Sequence, residues 1–408
     1  MNKRLDRSKL KIGVYHLQPY ARTEAHIKDL AACGIDFVIC LNDDRAALDL
    51  FEKYGVGAIV SGIVPGWWGG DGDNAGKFAE THPLEKYVAA AEKFVDHPAI
   101  WGIDCGDEPS ALDFPHYGKV MDLVERKFEN QFAYLNLYPN YASVAQNNAI
   151  QTVNQLGTTT YAEHIAEYCK NVPVDYICYD FYLYSINVTK AYENLRVVAD
   201  ACLKTGRDMW IVLQVNSSRE EEWISEDGLR FQAYTAMAFG AQNITWACYT
   251  AGWWHNQVLD KNGEKTEQYE KLKKVNAEIK TISEEYMKFR RVSSHFVGFA
   301  GTKWLEAVEQ EPIDALSTGV FQNVRAEGGE PIVVGQMVSR TGDGRYALMI
   351  CAADDPYEKA PKTYRILLEA DRTVKAIGGS GEIGIETLAD GTKAVTVRSN
   401  AGVLLIAE

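Results

Sequence analysis

The residues best suited to chemistry lie in one run, 101–110, reading Trp-Gly-Ile-Asp-Cys-Gly-Asp-Glu-Pro-Ser. Its apolar first half predicts a buried strand over 101–105. A glycine and two adjacent carboxylates, Asp107 and Glu108, follow. Pro109 has no N–H to give to a ladder and ends the pairing. Acids at the end of a buried strand stand at the mouth of a sheet. A neighbouring carboxylate raises the proton affinity of each, which is what a general acid working near neutral pH requires.

Other predicted strand ends carry a matching set of side chains. They are Tyr15 on strand one, Trp67 and Trp68 after strand three, and Asn136 and Tyr138 on strand five. Asp180 and Tyr182 stand on strand six, Gln214 and Asn216 on strand seven, and Tyr249, Trp253 and Trp254 on and after strand eight. The set is poor in cations and has neither a His/Cys metal cluster nor a phosphate-cradling glycine loop, so no metal or organic cofactor is expected. It is rich in aromatic rings, amides and carboxylates. Sugars suit that mixture, because rings cover the C–H face of a pyranose while amides and carboxylates bind its hydroxyls. A carbohydrate is therefore the expected partner. Asp104 shares strand parity with Glu108 and is expected in a buried ion pair. The run Gly69-Gly-Asp-Gly-Asp lacks the Glu that would close an EF-hand loop and reads as a lid.

These residues need a scaffold that brings many strand ends together. Eight apolar runs predict strands at 11–19, 35–41, 56–64, 101–105, 131–138, 174–184, 208–215 and 243–250. Between and after them, 3.6-residue periodicity predicts helices. One begins at Thr23 and the others span 43–54, 83–97, 114–128, 161–171, 190–205, 229–239 and 266–289. Gly34, Gly55, Gly206 and Gly240 each stand just past a helix end, where a left-handed residue stops the helix. Strict alternation with strands apolar on both faces points to an α/β fold, a (β/α)8 TIM barrel over 1–290, with its site at the carboxyl ends of the strands. An open doubly wound sheet would want a glycine-rich loop after strand one. Gln18-Pro-Tyr-Ala stands there instead. Residues 291–408 read as a patternless linker to 320 and then a small antiparallel β-sandwich, from short alternating runs with turn signals between them.

The totals bound the partners. Of 408 residues, 46% are hydrophobic and 24% charged, as in ordinary globular chains. A net charge of −14 disfavours nucleic acid and anionic membrane surfaces. No apolar run reaches the roughly 18 residues that span a bilayer. The charged run 1–9 has no apolar core of a signal peptide, and the eight cysteines form no Cys-x-x-Cys pair, so buried reduced thiols and a cytoplasmic setting are expected.

Three segments in order carry a resemblance: Gly-Asp-Glu-Pro at 106–109, Asn-Leu-Tyr-Pro-Asn-Tyr-Ala at 136–142 and Tyr-Asp-Phe-Tyr at 179–182. Over residues 10–290 the chain resembles the clan of (β/α)8-barrel glycoside hydrolases whose acid/base Glu ends strand four, usually within Asn-Glu-Pro. It is also similar to a subgroup with Gly-Asp-Glu-Pro there. The resemblance implies hydrolysis of the O-glycosidic bonds of an oligo- or polysaccharide, with Glu108 as acid/base. One position departs from the clan, whose nucleophile is a Glu on strand seven, where Gln214 stands here. Three readings follow. Asp180 is the second carboxylate; or Asp107 and Glu108 act together as in β-hexosaminidases, where the substrate's acetamido group attacks; or hydrolysis is lost and the barrel only binds carbohydrate.

Overall fold

A computed structural model of the chain describes residues 3–68, 74–144, 154–299, 313–352, 356–357 and 362–408. Eight parallel strands form one sheet: β1 Lys11–Tyr15, β2 Phe37–Asn42, β3 Gly57–Ser61, β4 Ile100–Asp107, β5 Phe132–Asn136, β6 Tyr176–Phe181, β7 Asp208–Gln214 and β8 Ala241–Ala247. Their order is β5-β4-β3-β2-β1-β8-β7-β6. Leu137 bridges Tyr179, and its N–H donates to the carbonyl of Cys178 at 2.9 Å, which brings the two end strands together and closes the barrel. Every residue of β5 and β6 is buried, as a sheet covered on both faces requires.

The helices are α1 Glu24–Ala32, α2 Arg45–Tyr54, the short α3 Phe78–Thr81, α4 Leu84–Lys93, α5 Phe114–Lys127, α6 Tyr161–Asn171, α7 Val188–Thr205, α8 Glu226–Ala238 and α9 Glu267–Tyr286. Capping oxygens start most of them: Thr23 accepts from the His26 N–H, Asp44 from Ala47, Asn187 from Lys190 and Ser225 from Gly228. Asn187 and Ser225 start α7 and α8 earlier than the apolar periodicity indicates. The four helix-stopping glycines adopt left-handed φ angles between 71° and 96°.

The C-terminal residues form two antiparallel sheets. One has the order β15-β14-β18-β12-β11-β9 and contains β9 Phe289–Val297, β11 Ile332–Ser339, β12 Tyr346–Ala352, β14 Val374–Gly378, β15 Gly381–Ile383 and β18 Gly402–Ala407. The other pairs β10 Phe321–Ala326, β13 Thr363–Ala370, β17 Lys393–Arg398 and β16 Glu386–Thr387 in the order β10-β13-β17-β16. A second apolar core, including Phe321, Ile366 and Leu405, lies between the sheets.

The patternless linker is corrected by β9. Its sequence, FRRVSSHFV, reads as polar because it meets helix ends of the barrel. Ser294 donates to the Ala238 carbonyl at 2.9 Å, and Arg291 pairs with Asp200 at 2.9 Å. The larger sheet lies directly on α8, which it buries. A side chain at Gly335 would collide with the backbone of Ala238, so glycine permits the approach. No helix among the described residues is long and apolar enough to cross a membrane. All eight cysteines are free thiols, six of them buried.

Candidate active site at the carboxyl ends of the strands

β4 carries Asp107 as its last residue and is bulged between Asp104 and Asp107. Gly106 takes φ 146°, since a side chain there would strike Tyr117 and the Trp67 carbonyl. Glu108 takes φ 42°, a left-handed conformation that costs a non-glycine residue on the order of 1–3 kcal/mol. In a regular strand neighbours point to opposite faces. The left-handed turn at Glu108 breaks that alternation where the two acids follow each other.

Asn136, at the end of β5, joins the strands on either side of it. Its Nδ2 donates to Asp107 Oδ1 at 3.0 Å and to Asp180 Oδ1 at 2.8 Å. The Cys178 thiol holds the other end of the amide, meeting Asn136 Oδ1 at 3.5 Å, and the Tyr134 hydroxyl meets the same sulfur at 3.5 Å. Two carboxylates on one NH₂ group, whose hydrogens point about 120° apart, have facing oxygens roughly 5 Å from each other. Burial raises the proton affinity of both. The charge of Asp107 raises that of Asp180 further, while the Asn136 hydrogen bonds pull in the opposite direction. Such a pair titrates as a unit.

Asp104 joins them as a third acid. Burial first and Asp107 second push its carboxyl up to about 7. The expected ion pair is not present: among the described residues its contacts are the Cys40 thiol at 3.7 Å and the Gly106 N–H at 3.2 Å. A buried acid need not find a cation when it can take up a proton instead. No group of three or more His, Cys, Asp or Glu is arranged to hold a metal ion among the described residues.

Aromatic side chains gather around these acids. Trp253 meets Tyr15 edge-on at 5.9 Å, His16 at 5.5 Å and Tyr182 at 6.0 Å, and Tyr182 meets Trp254 at 5.1 Å. Asp107 acts on the phenols of both Tyr15 and Tyr182, which puts it among these rings. Tyr141 hydrogen-bonds Asp180, and its phenol feels the charge of Glu108 as well. Asp104, Asp107 and Glu108 are half-buried, whereas Asp180 is only 3% exposed.

Several expected sugar contacts have other work. Gln214 is fully buried. Its amide donates to Ser185 at 3.1 Å and to the Asn216 carbonyl at 3.0 Å, and accepts from the Tyr184 N–H at 2.9 Å. Asn216 is also fully buried and donates to the Trp253 carbonyl at 2.7 Å, so it holds the loop that carries the ring. Tyr249 is buried with Cys33 and Tyr269 on the helix side of the barrel. Trp67 stacks on Phe78 at 5.4 Å and donates to Asp113 at 3.3 Å. Tyr138 is 3% exposed beside Gln155. Trp68 is 57% exposed, next to the expected lid at 69–73, which lies outside the described residues.

Cys178, Tyr134 and Cys40 carry no signal in their residue types, whereas Tyr141 stands at the predicted end of strand five. It also lies inside the 136–142 motif. The thiols looked like plain core residues, and only their neighbours make them orienting groups.

No family profile and no curated protein sequence matches the chain. Solved structures do. A cycloisomaltooligosaccharide glucanotransferase from Paenibacillus sp., complexed with cycloisomaltoheptaose, is similar with TM-score 0.54 at 9% identity, over 98% of this chain and 85% of that one. That coverage takes in the barrel and the C-terminal sheets together. A glycoside hydrolase family 5 mannosidase from Rhizomucor miehei gives TM-score 0.47 at 10% identity over 70% of this chain and 99% of its own. Xylanase 10B from Thermotoga maritima gives 0.44 at 12% over 66% and 95%. At these identities the likeness is one of fold.

Proposed function

We propose that this chain hydrolyses O-glycosidic bonds of an oligo- or polysaccharide at the mouth of the barrel. The observation that carries the reading is the Asn136 amide clasping Asp107 and Asp180, without a cation among the described residues, beside the rings of Tyr15, Tyr182, Trp253 and Trp254.

Glu108 is the acid/base. Protonated, it gives its proton to the glycosidic oxygen as the bond to the anomeric carbon breaks and the alcohol departs. As a carboxylate it then takes a proton from the water whose oxygen bonds to that carbon, and is restored. Asp107 places negative charge near the cation-like carbon. Asp180 is too buried to meet a sugar and acts through Asn136, its charge coupled to that of Asp107 so that protonating one acid keeps the other ionised. The test is Glu108→Gln against a panel of aryl glycosides and oligosaccharides. Wild-type turnover with full rate in the variant would remove Glu108 from the role. Saccharide binding with no turnover in either protein would leave a carbohydrate-binding barrel.

The conformation of Glu108 favours a second reading of the same site. The break in alternation supports Asp107 and Glu108 facing one sugar together. A 2-acetamido substrate would then supply its own carbonyl oxygen as nucleophile, with Asp107 holding the amide N–H. Turnover confined to 2-acetamido glycosides distinguishes this reading from the first.

A further inference from the structure

We infer that the cleft between the barrel rim and Pro356 and Tyr357, which lie between β12 and β13, is a second saccharide-binding surface, taking a neutral oligosaccharide against Trp223 and Tyr357. The inference rests on the glycosidase reading above and extends it to the length of the substrate.

The cleft has a volume of about 600 Å³. Tyr184, Ser217, Ile224 and Ser225 line it together with Trp223 and Tyr357. Large exposed aromatic side chains are scarce among the described residues: Trp68 at 57%, Trp223 at 37% and Tyr357 at 55%. Two of the three line this one cleft, one from the barrel and one from the C-terminal region. A single exposed ring needs no explanation, but two in a ligand-sized groove form an amphipathic platform.

The charges argue for a neutral ligand. Arg219 pairs with Glu222 at 2.6 Å, Lys271 pairs with Glu267, and Glu226 is held by Arg230 and by Lys274 at 2.7 Å. With Glu221, which also lines the cleft, these groups offer hydroxyls many partners and disfavour an anion. The platform is also held in place. The Tyr184 hydroxyl donates to the Pro356 carbonyl at 3.0 Å, Tyr184 meets Tyr357 edge-on at 5.4 Å, and the Lys271 ammonium lies 5.7 Å from the Trp223 ring centre. Preorganised rings lose little entropy on binding.

The loops that line the cleft also carry the barrel mouth. Tyr184 follows Tyr182 on the loop after β6. Ser217 bridges His255, which follows Trp253 and Trp254. A chain leaving the mouth along these loops enters the cleft.

The test uses the full chain carrying Glu108→Gln, so that saccharides persist, with and without Trp223→Ala. Calorimetry compares the disaccharide and the hexasaccharide of the cello-, xylo-, manno-, isomalto- and 2-acetamido chito- series. The expected result is a hexasaccharide that binds tighter than its disaccharide, and that loses about tenfold in affinity, about 1.4 kcal/mol, in Trp223→Ala. The disaccharide should be unaffected and Trp223→Phe should restore binding. Equal hexasaccharide affinity with and without Trp223 overturns the cleft while leaving the glycosidase reading intact. If the Glu108→Gln protein binds no member of any series, both fall together.

Discussion

Asp107 and Asp180 accept hydrogen bonds from a single nitrogen, Nδ2 of Asn136, at 3.0 and 2.8 Å. Strands β4, β5 and β6 lie side by side, so an amide on the middle strand can serve an acid on each neighbour. This makes Asn136 the residue that sets how easily the coupled pair takes up a proton.

Asn136→Ala removes the donor that favours the charged forms. The proton affinity of both acids rises, so the acid limb of the pH–rate profile moves to higher pH, by about half a unit or more. The rate at the optimum falls by roughly 10²-fold, the scale of a lost positioning or charge-stabilising contact. Profiles of kcat/KM for wild type and variant check this. An unmoved limb contradicts the role of Asn136 in holding the coupled pair ionised.

Asp104→Asn tests the raised acid. Its folded value of about 7 lies above the ordinary 3.8, so the folded state binds the proton more tightly than the unfolded state. Its contribution to stability is full below the ordinary value and is lost as pH rises to about 7. The variant cannot ionise there. It is expected to gain about 1–2 kcal/mol over wild type at pH 8, allowing for the solvent at the mouth, and little at pH 4. Thermal unfolding at the two pH values measures the difference, and an equal effect at both contradicts it.

Glu108→Gly separates strain from chemistry. Glycine adopts a left-handed φ without penalty, so the variant should be more stable than wild type by about 1 kcal/mol while losing turnover. A destabilised variant means that Glu108's contacts outweigh its backbone strain.

Gln214→Glu places a carboxylate at the end of β7 and is expected to bring no activity with it. The two groups that the Gln214 amide nitrogen serves are the Ser185 hydroxyl and the Asn216 carbonyl. A carboxylate there would face that carbonyl without a donor, fully buried. The expected outcome is a loss of about 2–4 kcal/mol in denaturant unfolding and no gain in turnover. A rise in activity would place position 214 in the mouth after all.

Much of the architecture was legible because its signals are local. Apolar runs, helical periodicity and helix-ending glycines each depend on residues a few positions apart, and together they indicate eight repeated units. β9 escaped because Arg291 and Ser294 are polar for partners that the sequence does not place beside them, Asp200 and Ala238. The same reason divides the strand-end residues. Tyr182 and Trp253 meet each other, whereas Gln214 and Asn216 spend their amides on the chain itself. A strand end tells which residues lie near the mouth, not which of their atoms are already bound by the chain.

By itself, then, the sequence determined the βα alternation, the carboxyl-end placement of Asp107 and Glu108, and the aromatic, amide-rich character of the neighbouring strand ends. The tertiary structure alone decided that Asp107 pairs with Asp180 through Asn136, that Asp104 has no cation, and that Trp67 packs against Phe78. The physical reason is range. Periodicity and capping act within a turn or two of chain, but hydrogen bonds and proton affinities in the barrel depend on strands 29 and 44 residues apart, brought into contact only when the barrel closes.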